Sequence, residues 1–113
     1  MVPSDDIILA NLRRGTLEYC ILALLARESL YGLDIARRLT PDGLLMGSEG
    51  TLYPLLTRLR KAGWVETRWQ ESNAGPPRRY YAITGSGRAA LAEFTATWQR
   101  FSAAVDATLE GNQ

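Results

Sequence analysis

The stretch Gly50–Val65, GTLYPLLTRLRKAGWV, contains the pattern that decides the fold of this 113-residue chain. Projected at 100° per residue, its leucines fall on one narrow stripe of a helix, which is the spacing of a face that packs against a core. These residues are Leu52, Leu55, Leu56 and Leu59. The pattern therefore predicts an amphipathic helix with its leucine face buried.

The opposite side of this helix is polar and basic. It presents a hydroxyl, a proline ring and two cations, from Thr51, Pro54, Arg58 and Lys61. Gly63 then supplies a helix stop, and the alternating, aromatic residues 64–69 are typical of a strand. The sequence thus predicts a helix that shows cations to a partner and leads directly into a hairpin.

The start of the helix has two interpretations. Ser48 is a suitable N-cap, but Pro54 costs little only in the first helical turn, where its missing N–H would be unpaired anyway. Either the regular helix begins near Thr51, or it begins near Ser48 and is irregular at Gly50. The sequence leaves both alternatives open.

Two strands are predicted after the helix, at about residues 65–70 and 79–84, joined by ESNAGPPR at residues 71–78. This connection is too long for a two-residue turn, and Gly75-Pro76-Pro77 predicts an extended, stiff loop. Arg78 and Arg79 lie at its exit. A stiff basic loop beside an exposed basic helix indicates the wing of a winged-helix protein, although an ordinary polar hairpin tip is the alternative.

The composition is that of an ordinary globular protein of one domain, with 46% hydrophobic and 22% charged residues. No apolar run reaches the roughly 18 residues of a membrane span. Asp5 and Asp6 stand where a signal peptide would carry basic residues. We therefore expect a cytoplasmic protein.

The chain has no histidine and a single cysteine, Cys20. An internal disulfide is excluded, and one chain cannot assemble the His and Cys ligands of a zinc or copper site. The usual proton shuttle of hydrolases is also missing. We predict no catalytic residues, no metal and no cofactor, and we expect Cys20 to be a small buried hydrophobe.

The charge is unevenly distributed along the chain. Residues 58–88 hold seven cations and two carboxylates, a net charge of +5, whereas the whole chain carries +1 and its remainder therefore −4. Such a gathering of positive charge on one segment predicts a footprint for the phosphate backbone of a nucleic acid. For any single arginine, an ordinary solvated surface position is the alternative.

The flanking segments are helical or short. A short N-terminal arm with Ile7, Ile8 and Leu9 precedes a helix at about residues 14–27, which is apolar nearly all round and so predicts burial on two sides. A shorter helix is predicted at about residues 30–39, closed by Pro41 and Gly43.

A long terminal helix is predicted at about residues 86–109. Its large apolar residues recur at steps of three and four, close to a heptad, at Leu91, Phe94, Trp98, Phe101, Val105 and Leu109. We predict that this seam packs on the first helix and on its twin in a second subunit, and that Leu17 and Ile21 of the first helix belong to the interface between subunits. The result would be a two-fold homodimer.

With these elements in order, the chain resembles the PadR family of bacterial transcriptional regulators. The resemblance runs from about Leu12 to Leu109. It rests on LRRGTLEYCILALL, on Tyr31-Gly32 with Ile35, on GTLYPLLTRL, on KAGWV, and on GPPRRYYAIT with Gly87. The single helix after the wing is similar to the short branch of the family.

The resemblance implies a mainly α fold with a small β-hairpin: a winged helix-turn-helix domain at residues 1–84, with the N-terminal arm, and a dimerisation helix and tail at residues 85–113. It implies a dimeric repressor on an inverted-repeat DNA operator. The residues implied at or near the DNA are Thr51, Tyr53, Pro54 and Arg58, with Lys61, Arg78 and Arg79 on phosphates or in the minor groove. Of these helix residues, Arg58 has the forked donor suited to a bidentate guanine contact.

The resemblance also implies a flat apolar pore between subunits, as in some short members, where Trp98 would stack on a planar aromatic effector between Phe94 and Phe101. Plain packing of Trp98 on the heptad seam is the competing interpretation.

Two other classes of function remain open: a protein–protein interaction module whose basic face meets an acidic partner, and a ligand-binding protein without an operator. A metal-sensing or MarR-like repressor is the nearest alternative within the DNA-binding class.

Overall fold

The computed structural model describes residues 4–72 and 74–111. The described chain forms five α-helices, a short 3-10 turn and a three-stranded antiparallel sheet of order β1-β3-β2. The helices are α1 (Asp5–Arg13), α2 (Leu17–Leu25), α3 (Gly32–Leu39), α4 (Leu52–Lys61) and α5 (Gly85–Glu110). The strands are β1 (Leu30–Tyr31), β2 (Val65–Ser72) and β3 (Gly75–Ile83), and the 3-10 turn is Glu49–Thr51.

The core lies where α2, α3 and α4 meet the base of the sheet. Its most deeply buried side chains come from these helices and from the loop before α4, and they are Ile21, Leu22, Ile35, Met46, Leu52, Leu56 and Leu59. Leu52, Leu56 and Leu59 of the predicted leucine stripe are thus buried, and Leu55 is half-buried against the core. Because each helix contributes one face to this cluster, α4 is held with its opposite face in solvent.

The structure confirms a helix inside residues 14–27 and one that covers all of residues 86–109, but it corrects the predicted start of α3. Leu30 and Tyr31 are paired with Tyr81 and Tyr80 of β3, so they form a strand and the helix begins at Gly32. The pairing is long-range, which is why helical periodicity alone did not reveal it. The predicted hairpin is therefore part of a three-stranded sheet.

The predicted N-terminal arm is a helix from Asp5 onward, which is a second correction. Its last residue, Arg13, donates from Nε to the carbonyl of Leu44 at 3.0 Å and from Nη2 to the carbonyl of Gly43. These bonds tie α1 to the loop that follows α3. The helix has no buried residue, and Ile7, Ile8 and Leu12 are exposed. Residues 1–3 of the predicted arm lie outside the described residues.

The hairpin is longer than predicted. The strands extend to Ser72 and from Gly75, so Gly75-Pro76-Pro77 belongs to β3 and not to a loop. The register is irregular between Gln70 and Ser72. The two prolines are tolerated because β1 pairs only with Tyr80 and Tyr81, which leaves this end of β3 with one neighbouring strand. Asn73 of the predicted loop lies outside the described residues.

The start of α5 is fastened to the turn between α4 and β2. Thr84 is the N-cap, and its hydroxyl accepts the Gly87 N–H at 3.0 Å and donates to the Gly63 carbonyl at 2.7 Å. Gly87 is buried, and a Cβ there would lie 2.2 Å from the Trp64 carbonyl oxygen. The first turn of α5 can approach this backbone only because residue 87 has no side chain.

Within the described residues, α5 packs on the rest of the chain through its beginning. The helix has 26 residues, which corresponds to about 39 Å, and the molecule measures 59 × 32 × 21 Å. Leu91 and Phe94 are half-buried, whereas Trp98 and the larger apolar residues after it are exposed. None of the helices in the described ranges combines the length and apolarity of a membrane span.

Replacement of Gly87 by alanine is expected to destabilise the protein. The added methyl group would overlap the Trp64 carbonyl and the Ile83 side chain, and such overpacking typically costs about 1–3 kcal/mol. Urea unfolding followed by circular dichroism, at one protein concentration, measures the effect. Gly85→Ala is the matched control, since nothing lies within 4 Å of a Cβ there. Equal midpoints for the two variants would contradict the packing argument.

Candidate nucleic-acid interface

The α-helical part of α4 begins at Leu52, after the 3-10 turn at Glu49–Thr51. Pro54 is therefore the third residue of the α-helix and lies in its first turn, where the missing N–H has no intrahelical partner to lose. The structure confirms the alternative in which the regular helix begins near Thr51. Ser48 is the N-cap residue of the 3-10 turn, but its side chain makes no capping hydrogen bond.

The helix ends as the sequence predicts. Gly63 has φ +81°, and its N–H donates to the Arg60 carbonyl while the Trp64 N–H donates to the Leu59 carbonyl, both at 3.0 Å. This pair of bonds is a Schellman C-cap, which favours glycine at the left-handed position. It turns the chain sharply into β2 at Val65, so the sheet begins immediately beside the end of α4.

The exposed face of α4 matches the prediction. Thr51, Pro54, Arg58 and Lys61 are all exposed, as is Arg60. The Thr51 hydroxyl donates to the Ser48 carbonyl at 2.9 Å. A rigid helix thus presents hydroxyl, apolar and cationic groups along one side, which is the mixture that base edges, sugars and phosphates can bind.

Tyr53 lies at the edge of this face and is anchored to α3. Its side chain is 47% exposed. Its ring packs so closely on Gly32 that a Cβ at residue 32 would lie 3.1 Å from the ring carbon Cε1. The Tyr31-Gly32 pair of the sequence therefore has a structural reason: glycine at residue 32 lets the Tyr53 ring seat against the start of α3.

Arg58 is held by an acidic partner that the sequence analysis missed. Its Nε donates to Oε2 of Glu18 at 3.2 Å, and its Nη2 donates to Oε1 at 3.0 Å. Glu18 lies in the first turn of α2, forty positions earlier, and its side chain is 22% exposed against 65% for Arg58. No local sequence signal connects two residues so far apart, because only the packing of α2 against α4 brings them together.

The two wing arginines lie on opposite faces of β3, because successive strand residues alternate. Arg78 is exposed, and its guanidinium stands 4.7 Å from the centre of the Tyr31 ring in β1. The contact is a cation–π interaction. Arg78 is thus a cation on an aromatic platform formed by Tyr31 and its neighbour Tyr80, whose ring centres are 5.8 Å apart.

Arg79 is less accessible than the prediction assumed. It is half-buried, its Nη2 lies 3.5 Å from the Thr67 hydroxyl, and its guanidinium is 5.9 Å from the Tyr81 ring centre. Its Nε is buried and has no hydrogen-bond partner among the described residues. Its cross-strand neighbour Trp69, which the sequence analysis did not single out, is 71% exposed.

The aromatic residues of α5 form a stack that begins on α2. Tyr19 and Phe94 are parallel, with ring centres 4.1 Å apart and an interplanar angle of 7°, and Phe94 lies 6.0 Å from Trp98. Phe94 is half-buried in this stack, whereas Trp98 is 44% and Phe101 is 62% exposed. Val105 and Leu109 continue the exposed apolar line.

Leu17 and Ile21 must be removed from the predicted dimer interface. They are 7% and 0% exposed, and they pack in the core of their own chain. The sequence predicts that this nearly all-apolar helix is buried on two sides, and in the structure α2 is covered by α4, α5 and the sheet of its own chain. Leu91 is also half-buried against this core.

In the described ranges, His, Cys, Asp and Glu form no group of three that could hold a metal ion. Cys20 packs half-buried against the core, and this burial raises the pKa of its thiol. A raised pKa keeps the thiol protonated at neutral pH, which makes it a poor nucleophile.

Comparison with known proteins places the chain in a family. Residues 21–93 match the Transcriptional regulator PadR-like family. A PadR-like transcriptional regulator from Bacillus cereus superimposes with a TM-score of 0.81 and 37% identity, covering 90% of this chain and 99% of that chain. A PadR family transcriptional regulator from Eggerthella lenta gives a TM-score of 0.79 and 36% identity, covering 96% of each chain.

A third similar structure contains nucleic acid. Bacillus subtilis PadR, solved in complex with operator DNA, has a TM-score of 0.65 and 25% identity, covering 72% of this chain and 47% of that chain. The members of the matched family are transcriptional regulators and not enzymes. The family match and the winged-helix fold agree: this chain belongs to the PadR-like family of transcriptional regulators.

Proposed function

We propose that the protein is a cytoplasmic repressor that binds an inverted-repeat DNA operator as a homodimer. The observation that carries the proposal is the exposed basic face of α4, which stands directly before a hairpin with its own exposed cations. The operator complex of Bacillus subtilis PadR supports it, because that protein shares this fold over 72% of the present chain.

In the proposed complex, α4 enters the major groove. Thr51, Tyr53 and Pro54 make positioning, methyl and sugar contacts, and Arg58 binds a guanine through two donors. Lys61 and Arg78 bind phosphates or reach the adjacent minor groove, and their exposure supports these roles. Arg79 joins them through the accessible part of its half-buried side chain, since its Nε is buried.

The proposed dimer forms along the outer part of α5. Trp98, Phe101, Val105 and Leu109 are between 40% and 70% exposed along one side of this helix. Most helical stability in proteins comes from the packing of an amphipathic face, so a partner surface on the apolar seam would stabilise this part of the helix. The exposed Ile7, Ile8 and Leu12 of α1 would add to the covered area. The half-buried Leu91 and Phe94 would flank it.

The proposal divides the chain into residues 1–84, which bind DNA, and residues 85–113, which dimerise. The contacts of Thr84 and Gly87 with the α4–β2 turn support a boundary at residue 84, because α5 starts there. They also hold α5 in a fixed orientation relative to the DNA-binding face. Residues 112 and 113 of the proposed tail lie outside the described residues.

Sequence selection from a random DNA library, followed by binding titration of the enriched site, tests the function. A homodimer is expected to enrich an inverted repeat whose half-sites lie about 34–36 Å apart or at multiples of that distance. Binding should weaken steeply with salt because phosphate contacts release counterions. Failure to enrich any sequence, together with capture of an acidic protein partner, would favour an interaction module instead.

Arg58→Ala is expected to reduce discrimination between the selected site and a scrambled one by about 1–3 kcal/mol per contact, the value of a good bidentate base contact. Lys61→Ala is the matched comparison on the same helix face. This substitution should weaken binding to both DNAs equally. It should also reduce the slope of log affinity against log salt concentration by about 0.9 per lost phosphate contact. If Arg58→Ala lost equal affinity for the selected and the scrambled DNA, Arg58 would be excluded as the base-reading residue.

Phe101→Glu is expected to convert the dimer to a monomer, because the variant places a charge in the middle of the apolar seam. Sedimentation velocity or light scattering measures the mass. Ala103→Glu is the control, since residue 103 projects to the opposite side of α5 and is also exposed. A monomeric wild-type protein at micromolar concentration, or a dimeric Phe101→Glu variant, would disprove this interface.

We further propose that planar aromatic compounds enter the dimer interface against Trp98, between Phe94 and Phe101, and release the operator. The exposed ring of Trp98, continuing the Tyr19–Phe94 stack, supports a stacking site. A planar dye should quench the tryptophan fluorescence, and Trp98→Ala should abolish tight binding. Trp69→Ala, at an exposed wing residue, should not. Unchanged dye affinity in Trp98→Ala would leave packing as the role of this residue.

A further inference from the structure

The Glu18–Arg58 pair is unusual in its position, because it places a carboxylate beside the cation best suited to read DNA. Arg58 lies on the exposed face of α4 in its last turn, and Glu18 reaches it from α2 with both oxygens. A carboxylate at a DNA-binding surface repels phosphates. Exposed ion pairs also contribute little to folding stability. Neither general affinity for DNA nor stability accounts for the arrangement.

The donor geometry of the pair suggests another role. A guanidinium has five N–H donors arranged in a planar fork. Glu18 accepts hydrogen bonds at one edge of the planar guanidinium, the edge that carries Nε and Nη2. The end of the group, where Nη1 and Nη2 point away from the side chain, is not used by Glu18. That end is a second fork, and it has the spacing that the O6 and N7 acceptors of guanine require.

We infer that Glu18 is a positioning residue for DNA recognition: it fixes the guanidinium of Arg58 from the side and directs its free end toward a guanine. Arginine side chains are otherwise mobile and lose rotamer freedom on binding. Glu18 restricts that freedom before DNA arrives. It also restrains Arg58 from turning toward any nearby phosphate. This inference rests on the proposed function, since it assigns Arg58 to a base.

Glu18 is well suited to act as a fixed support. It lies on α2, whose neighbouring residues Leu17, Ile21 and Leu22 are buried in the core, so its backbone cannot shift easily. Its side chain is 22% exposed, which is much less than that of Arg58 at 65%. The carboxylate is therefore the more rigid partner, and the guanidinium adapts to it.

The test uses the full-length protein, the site obtained by selection, and a scrambled DNA of equal length. Binding is measured for the wild type, Glu18→Gln, Arg58→Ala and the double variant. Glu18→Gln is expected to bind scrambled DNA more tightly, because a negative charge is removed, while its preference for the selected site falls about 5- to 10-fold, part of the discrimination of one bidentate contact. In the Arg58→Ala background, Glu18→Gln should leave the preference unchanged.

Glu49→Gln separates charge from geometry. Glu49 lies in the exposed 3-10 turn beside α4, and it is not the partner of Arg58. Its replacement should also tighten binding to scrambled DNA, but without loss of preference. Arg58→Lys keeps the charge and removes the fork, so it should lose preference whether or not Glu18 is present. Circular dichroism and light scattering confirm that each variant is folded and has the wild-type assembly state.

The outcomes separate this inference from the proposed function. If Glu18→Gln binds the selected site with unchanged or increased preference, Glu18 competes with DNA for Arg58, and the positioning role is overturned while the function stands. If preference falls equally in the Arg58→Ala background, Glu18 acts through the fold and the inference is again overturned. A wild-type protein with no preference for any DNA overturns the proposed function, and the inference with it.

Discussion

Burial of the leucine stripe of α4 is the constraint on which the rest of the structure depends. Leu52, Leu56 and Leu59 are at most 1% exposed and pack in one cluster with residues of α2 and α3. Since α4 has one apolar face, the burial of that face determines which of its side chains remain in solvent. The same packing brings Glu18 to Arg58 and seats Tyr53 on Gly32. The composition of the exposed face therefore follows from the requirement to bury its reverse.

The winged domain and the terminal helix α5 differ in how many of their large apolar side chains are buried within the chain. The winged domain has a closed core, and its fastening to α5 is dense, because Thr84 caps the helix and Gly87 touches the Trp64 carbonyl. Beyond Phe94 the helix leaves this core with most of its large apolar side chains exposed. A rigid connection followed by an exposed apolar helix face is consistent with the proposal that a dimer sets the distance between two recognition helices.

Local sequence patterns correctly predicted those helices, and the helix end, that depend on interactions between residues close in the chain. The spacing of leucines and of heptad residues located α2, α4 and α5, and Gly63 marked the end of α4, because each depends on residues within a few turns. The errors concern contacts between distant segments. Leu30–Tyr31 became a strand by pairing with β3, α1 is tied to the loop after α3, and Leu17 and Ile21 are covered by their own chain. Glu18 was missed for the same reason.

The near-neutral charge of the chain bears on how a protein of this kind distinguishes sequences. Cations on a DNA-binding surface increase affinity for every sequence alike, since phosphates carry no sequence information. Here the exposed cations of α4 and the wing are balanced by carboxylates elsewhere, with a net charge of +1, and one carboxylate stands directly beside Arg58. A carboxylate beside Arg58 lowers the attraction of this position for phosphates and leaves more of its contribution to base contacts. A protein that must ignore most of a genome gains more from an arginine held in one orientation than from one free to reach the nearest phosphate.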